Sequence, residues 1–84
     1  MQPVQDILNR IRWDEHWKGD EFKIGYYDRI EDRLIVVAFN EIRFPKGDHF
    51  TFEVIDRDGE LHSVPYHRVK AIFRNGDLIW HREH

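Results

Sequence analysis

Near its C-terminus the chain reads Val69-Lys70-Ala71-Ile72-Phe73-Arg74-Asn75-Gly76-Asp77-Leu78-Ile79-Trp80-His81-Arg82, and the Asn75-Gly76 pair constrains the fold more than any other feature. A type I′ hairpin turn needs positive φ at both central residues, which Asn and Gly tolerate, and its twist matches that of the strands it joins. A two-residue loop also fixes register. Arg74 is expected opposite Asp77, Phe73 opposite Leu78, Ile72 opposite Ile79, Ala71 opposite Trp80 and Lys70 opposite His81. One face then carries Phe73, Leu78, Ala71 and Trp80, with Phe73, Leu78 and Trp80 assigned to the core. The other carries Ile72 and Ile79. Apolar centres on both faces require a second layer.

The start of the chain offers that layer. From Pro3 to Arg12 the residues Val4, Ile7, Leu8 and Ile11 recur at helical spacing, an apolar stripe opposite Gln5, Asp6, Asn9, Arg10 and Arg12. A helix this short is marginal alone and must dock on something. Trp13, just beyond it, is expected to cap the core. After a loop over 13–21 the period changes to two. Phe22, Ile24 and Tyr26 alternate with Lys23, Gly25 and Tyr27 in a strand that continues through Asp28-Arg29-Ile30, and Glu31-Asp32 forms a turn. Leu34 to Phe39 is a continuous β-branched run, the pattern of a strand covered on both faces. Asn40 to Asp48 reads as a connection with Ile42 and Phe44 turned inward. Phe50, Phe52 and Val54 mark the core side of the next strand, Asp56-Arg57-Asp58-Gly59 a turn, and Leu61–Val64 the return strand that Pro65 ends by removing a ladder donor. The expectation is an α+β domain spanning residues 1–84. It has five or six antiparallel strands, strongly curved or closed into a small barrel, and one N-terminal helix packed on them.

Composition narrows the function. There is no cysteine, hence no disulfide or thiolate metal site, and no apolar run approaches the about 18 residues needed to cross a bilayer. A cytoplasmic, membrane-free protein is expected. The formal charge of −3 argues against a nonspecific nucleic-acid coat. Charge is uneven, however: residues 1–60 hold 9 Lys/Arg against 14 Asp/Glu, while residues 61–84 hold 4 against 2. Positive charge beside aromatic rings at one end suits an anionic, ring-bearing ligand such as a nucleotide or an RNA terminus. The six histidines, His16, His49, His62, His67, His81 and His84, form no recognised ligand frame. Only His81 and His84 have i, i+3 spacing, so no metal is expected. A nucleophile motif and a glycine-rich phosphate loop are both absent, and no cofactor is implied.

Three segments could carry binding chemistry. In Pro65-Tyr66-His67-Arg68 a tight turn presents backbone N–H groups beside an imidazole and a guanidinium. There Arg68 either holds a phosphate through two parallel hydrogen bonds, with His67 adding a third, or pairs with Asp28 or Asp14. In Gly25-Tyr26-Tyr27-Asp28-Arg29, Asp28 is in phase with the buried face, where it either orients Arg68 or His67, accepts from a sugar hydroxyl, or is turned outward by a bulge. Gly25 leaves room for close approach by another backbone or a ligand. Arg12, Trp13 and Asp14 end the first helix; Arg12 or Arg29 offers a second cation, and Asp28 or Asp14 orients an arginine or reads a sugar hydroxyl. Tyr26 or Tyr66 would stack on a base or ribose. An acid/base set of His67, His81 and Lys70 would instead make a phosphoesterase, and an exposed strand edge a protein-interaction adapter.

The blocks Ile7-Leu8-Asn9-Arg10-Ile11-Arg12-Trp13-Asp14, Ile24-Gly25-Tyr26-Tyr27-Asp28-Arg29, Val64-Pro65-Tyr66-His67-Arg68-Val69 and Arg74-Asn75-Gly76-Asp77-Leu78-Ile79-Trp80 together resemble the RNA cyclic group end recognition domain family, whose members are small and mostly archaeal. The likeness runs over nearly the whole chain with the blocks in order. It implies a noncatalytic RNA-binding module for processed ends bearing a 2′,3′-cyclic phosphate or a related terminal phosphate, working beside RNA-processing enzymes. The family's polar positions fall here on Arg12, Asp14, Tyr26, Asp28, Arg29, His67 and Arg68.

Overall fold

The computed structural model describes residues 3–83. The apolar stripe forms helix α1, Val4–Trp13, with Pro3 as its N-cap residue and Val4, Ile7 and Leu8 buried. Six strands follow: β1 Phe22–Asp28, β2 Arg33–Ala38, β3 Thr51–Ile55, β4 Leu61–Pro65, β5 Val69–Arg74 and β6 Asp77–His81. Short 3₁₀ turns occupy Glu15–Trp17, Phe39–Glu41 and Tyr66–Arg68. The α+β class is as expected, but the barrel is not formed. The strands make an open four-stranded sheet, ordered β2-β1-β5-β6, and a separate β3-β4 ribbon. Between Phe39 and Phe50 a 3₁₀ turn and Pro45 carry the chain off the edge of β2 without pairing. The ribbon therefore starts afresh, and only the single bridge Arg43–Glu53 extends it.

One face of the four-stranded sheet is covered. Phe22, Ile24 and Tyr26 of β1, Val69 and Ile72 of β5 and Trp80 of β6 are buried there, with Val4, Ile7 and Leu8 of α1 and with Phe52, Val54 and Val64 of the ribbon. Phe52 is the hinge of this packing. It is 0% exposed, meets Tyr26 edge-on at 6.0 Å between centroids, and stacks on Tyr66 at 6.2 Å.

Among the described residues nothing covers the other face, and this corrects several expectations. β2 is an edge strand whose Leu34 and Val36 are exposed, whereas Ile35 and Val37 on the covered side are partly buried. Leu78, opposite Phe73 on the open face, is 52% exposed rather than core, and Phe73 is half-buried. The hairpin register holds for Arg74–Asp77 and Phe73–Leu78. A bulge then shifts it so that Ile72 faces Trp80 and Ala71 faces His81. That shift brings Trp80 to the core side beside Ile72. Trp13 is 73% exposed: it lies about 200° around the helix from Ile11, off the stripe. Trp17 is buried in its place, against Phe22. Phe50 precedes β3 and is 76% exposed. Ile30, expected within β1, lies in the turn after it and is solvent-exposed. Ile42 and Phe44 do pack inward. A Cβ on Gly25 would meet Leu34 Cδ2 at 3.3 Å and Ala71 Cβ at 3.6 Å, so neighbouring side chains fill the space expected for a ligand or backbone.

Removing the Phe52 ring leaves a cavity between the layers, so Phe52→Ala is expected to cost about 3–5 kcal/mol in urea denaturation. Phe50→Ala should stay within about 0.5 kcal/mol, since that ring lies outside the core. Equal losses would contradict this division of the two rings.

Candidate functional site

The site grows from two strands whose covered faces turn polar at the same end. Along β1 that face reads Phe22, Ile24, Tyr26 and Asp28. In the ribbon, Phe52 pairs with Val64 and Val54 with His62, which puts Asp56 next in phase beyond Val54. Apolar pairs lie deep and ionic groups lie at the hairpin tip. Where the two faces diverge, a cleft of about 810 Å³ opens, within the usual range for small-ligand sites. Tyr26, Asp28, Arg29 and Arg68 line it together with Asp56 and His62.

Four of the eight residues singled out in the sequence therefore converge from two separate blocks. Arg68 leaves the 3₁₀ turn Tyr66–Arg68 half-buried, and Arg29 is exposed in the turn after β1. Among the described residues neither makes an ion pair or hydrogen bond, so both guanidinium groups stay open to an anion. Asp28 does not pair with Arg68 or His67. Its Oδ1 instead accepts from the N–H groups of Ile30 at 2.8 Å and Glu31 at 3.1 Å, which shapes the turn that carries Arg29. Tyr26 is 6% exposed, and its ring has no free face for stacking. Burial raises its phenol above the usual range, and the charges of Asp28, Glu31 and Asp56 raise it further.

The remaining four lie elsewhere. His67 is exposed and outside the cleft lining. Tyr66 has one ring face on Phe52, and burial raises its hydroxyl. Arg12 lies over the Phe44 ring at 4.4 Å and the Trp13 ring at 5.1 Å. Asp14 caps the 3₁₀ turn Glu15–Trp17: it accepts from Arg10 Nε at 2.9 Å and the His16 N–H at 2.8 Å, and its carboxyl is held below the usual range chiefly by Arg10. Trp17 completes this structural knot, with Arg10 over its ring at 4.0 Å and Arg74 at 5.1 Å, Arg74 being tied to Asp20 at 2.7 Å. His81 lies on β6 opposite Ala71, and His84 is outside the described residues.

Two contributors were missed in the sequence. Arg82 donates from Nε to the Val69 carbonyl at 2.9 Å and from a terminal nitrogen to the Tyr66 carbonyl at 2.8 Å, clamping the turn that presents Arg68. Nothing in its local pattern announced this. His62 meets Asp56 Oδ2 through Nε2 at 2.5 Å, and Asp56 Oδ1 accepts from the N–H groups of Asp58 and Glu60, each at 2.9 Å. A signal existed here: a hairpin drawn to full register makes Asp56 and His62 diagonal neighbours on one face. Ligand atoms of Asp56, Glu60 and His62 lie within 4.8 Å of one another. Both Asp56 oxygens and His62 Nε2 are already engaged in hydrogen bonds with one another and with the hairpin backbone.

With this geometry in view, the comparisons with known proteins fall into place. The profile of the MJ1316 RNA cyclic group end recognition domain matches residues 1–82. The chain belongs to this family. Relatives include a UPF0248 protein of Saccharolobus solfataricus, 35% identical over 94% of this chain and 95% of its own length. Another, from Saccharolobus islandicus, is 32% identical over 94% of this chain and 98% of its own. No solved structure matches. Among the described residues no helix is long and apolar enough to cross a membrane.

The Asp56–His62 pair gives stability a pH signature. Its hydrogen bond to Asp56 raises His62 above its ordinary value, and the same bond lowers Asp56. The imidazolium contribution is full below the unfolded histidine value of about 6.5 and is lost as pH rises through the raised folded value. The carboxylate contribution is full above about 3.9 and is lost as pH falls toward the lowered folded value. Thermal melts should show the native protein losing more stability between about pH 6.5 and 8.5 than His62→Gln does. Parallel curves would contradict the pairing.

Proposed function

We propose that this protein binds processed RNA ends, with the terminal phosphate in the cleft between the end of β1 and the tip of the β3–β4 hairpin. What carries the reading is the convergence there of Arg68 and Arg29, two arginines with no ion-pair or hydrogen-bond partner among the described residues, with Tyr26 and Asp28. The family's name concerns RNA ends with a cyclic group, which supports the same ligand class. Arg68 donates two parallel hydrogen bonds to the nonbridging oxygens of a 2′,3′-cyclic phosphate, and Arg29 supplies a second cation. Asp28 acts through the turn that it shapes and so fixes where Arg29 stands. The terminal nucleoside lies against apolar side chains of the cleft wall, among them Ile30 and Ile55. That replaces stacking on Tyr26 or Tyr66, whose rings are engaged with Phe52.

His67, His81 and Lys70 do not line the cleft, so the reading is built on recognition and not on that acid/base set. His67, Arg12, Asp14 and Tyr66 have no direct role in the phosphate contact.

The test measures binding of one short RNA carrying a 2′,3′-cyclic phosphate, a 3′-phosphate, a 2′-phosphate or a free hydroxyl. The cyclic end should bind most tightly. Hydrogen bonds to a charged group contribute about 1.5–3 kcal/mol, so Arg68→Ala should lose about 10- to 100-fold in affinity. Arg12→Ala should change it less than about threefold. Equal weak binding of all four ends contradicts the proposal, as does an Arg12→Ala loss matching that of Arg68→Ala.

A further inference from the structure

We propose that His62, held by Asp56, is the switchable cation of this cleft, making it selective for a singly charged cyclic phosphate and releasing that end as the imidazole loses its proton. The inference rests on the end-binding reading above and adds to it the charge state of the ligand and a residue that controls it.

The charge of the lining is the first support. Four arginines and four carboxylates border the cleft, and His62 is the one histidine among them. Its proton therefore decides whether the lining is formally neutral or carries one net positive charge. Tautomer chemistry is the second. Nε2 is engaged by Asp56 Oδ2 at 2.5 Å, which leaves Nδ1 for a ligand. In the imidazolium form Nδ1 carries a proton and donates to a phosphate oxygen. In the neutral form, with the remaining proton on Nε2 facing Asp56, Nδ1 presents a lone pair to the anion. One titration thus converts an attractive contact into a repulsive one.

The groups around His62 favour the cation. Asp56 at the end of β3, Glu60 in the hairpin turn and Asp28 at the end of β1 all act on it, and the Asp56 hydrogen bond is the largest influence raising its pKa. Arg57 of the hairpin turn and Arg68 line the same cleft, and the opposing influence on the imidazole is its partial burial. The ring is only partly covered, so it exchanges protons with solvent freely.

Ligand charge follows from the same arithmetic. A 2′,3′-cyclic phosphate is a diester with one negative charge, whereas a terminal monoester carries about −1.5 to −2 at pH 7, with a second pKa near 6. Attraction to a fixed field grows linearly with ligand charge, but desolvation grows with its square. A cleft offering at most one net positive charge, with the Asp28 and Asp56 carboxylates on its walls, therefore favours the monoanion.

The experiment measures binding of a short RNA with a cyclic-phosphate end and the same RNA with a 3′-phosphate end between pH 5.5 and 8.5. It uses the full chain and its His62→Gln and Asp56→Asn variants, with the imidazole titration followed by NMR in the same samples. Native affinity for the cyclic end should fall about tenfold as His62 titrates. His62→Gln should bind it at the high-pH level throughout, and Asp56→Asn should move both titration and affinity loss to lower pH. Preference over the 3′-phosphate should narrow below pH 6 as the monoester gains a proton. A cyclic-end affinity that keeps its native pH profile in His62→Gln overturns this inference while leaving end binding intact. A 3′-phosphate bound as tightly as the cyclic end at pH 7.5 does the same. Absence of binding to every end at every pH overturns the end-binding reading, and this inference with it.

Discussion

The ring of Phe52, enclosed between the edge of Tyr26 and the face of Tyr66, holds the β3–β4 ribbon against the four-stranded sheet. Among the described residues no ladder of backbone hydrogen bonds joins the two sheets, so side-chain packing and the short Tyr66–Arg68 connection set their separation and angle. The cleft is a product of that contact. Beyond Tyr26 on one side and Val54 on the other, the facing residues become Asp28, His62 and Asp56. Ionic groups cannot close into an apolar interior without large desolvation costs, so the layers part there. Core and site are two ends of the same pair of strand faces.

This arrangement explains why an acidic chain can offer an anion site. Four of the nine arginines are tied down: Arg10 with Asp14, Arg33 with Glu31, Arg74 with Asp20, and Arg82 with two backbone carbonyls. Those ties build the helix end, the β1–β2 turn and the turn before β5. Arg29 and Arg68 stand apart from them, and both open into the cleft. The excess of positive charge in the C-terminal quarter is thus mostly structural. Arg68 is the basic residue of that quarter that lines the cleft, presented by a turn that Arg82 clamps from the next hairpin.

Much of the fold was legible because it depends on local periodicity and turn chemistry. The α1 stripe and the Asn75-Gly76 hairpin are of this kind, as is the turn at Gly59 with φ of 80°. What local pattern could not supply was which faces acquire cover. Leu34–Phe39 looks like a strand enclosed on both sides, yet sheet order leaves β2 at an edge with one face open. Trp13 and Phe50 are large and apolar, and size alone suggested burial, while helical phase and strand start place them outside. For the lining of the cleft, strand phase was the more informative pattern. It pointed Asp28 toward the covered face, and applied equally to Asp56 it leads to His62. Adjacency in sequence did not carry over to the cleft: Tyr66 and His67 precede Arg68, yet neither lines it.

The central claim is a location: the RNA end is held where the two covered faces diverge. Backbone amide shifts of the full chain during titration with a short RNA ending in a 2′,3′-cyclic phosphate test it directly. The changes should concentrate in residues 26–31, 54–64 and 68. Changes centred on the end of α1 around Arg12, or on the open sheet face around Phe73 and Leu78, would contradict it.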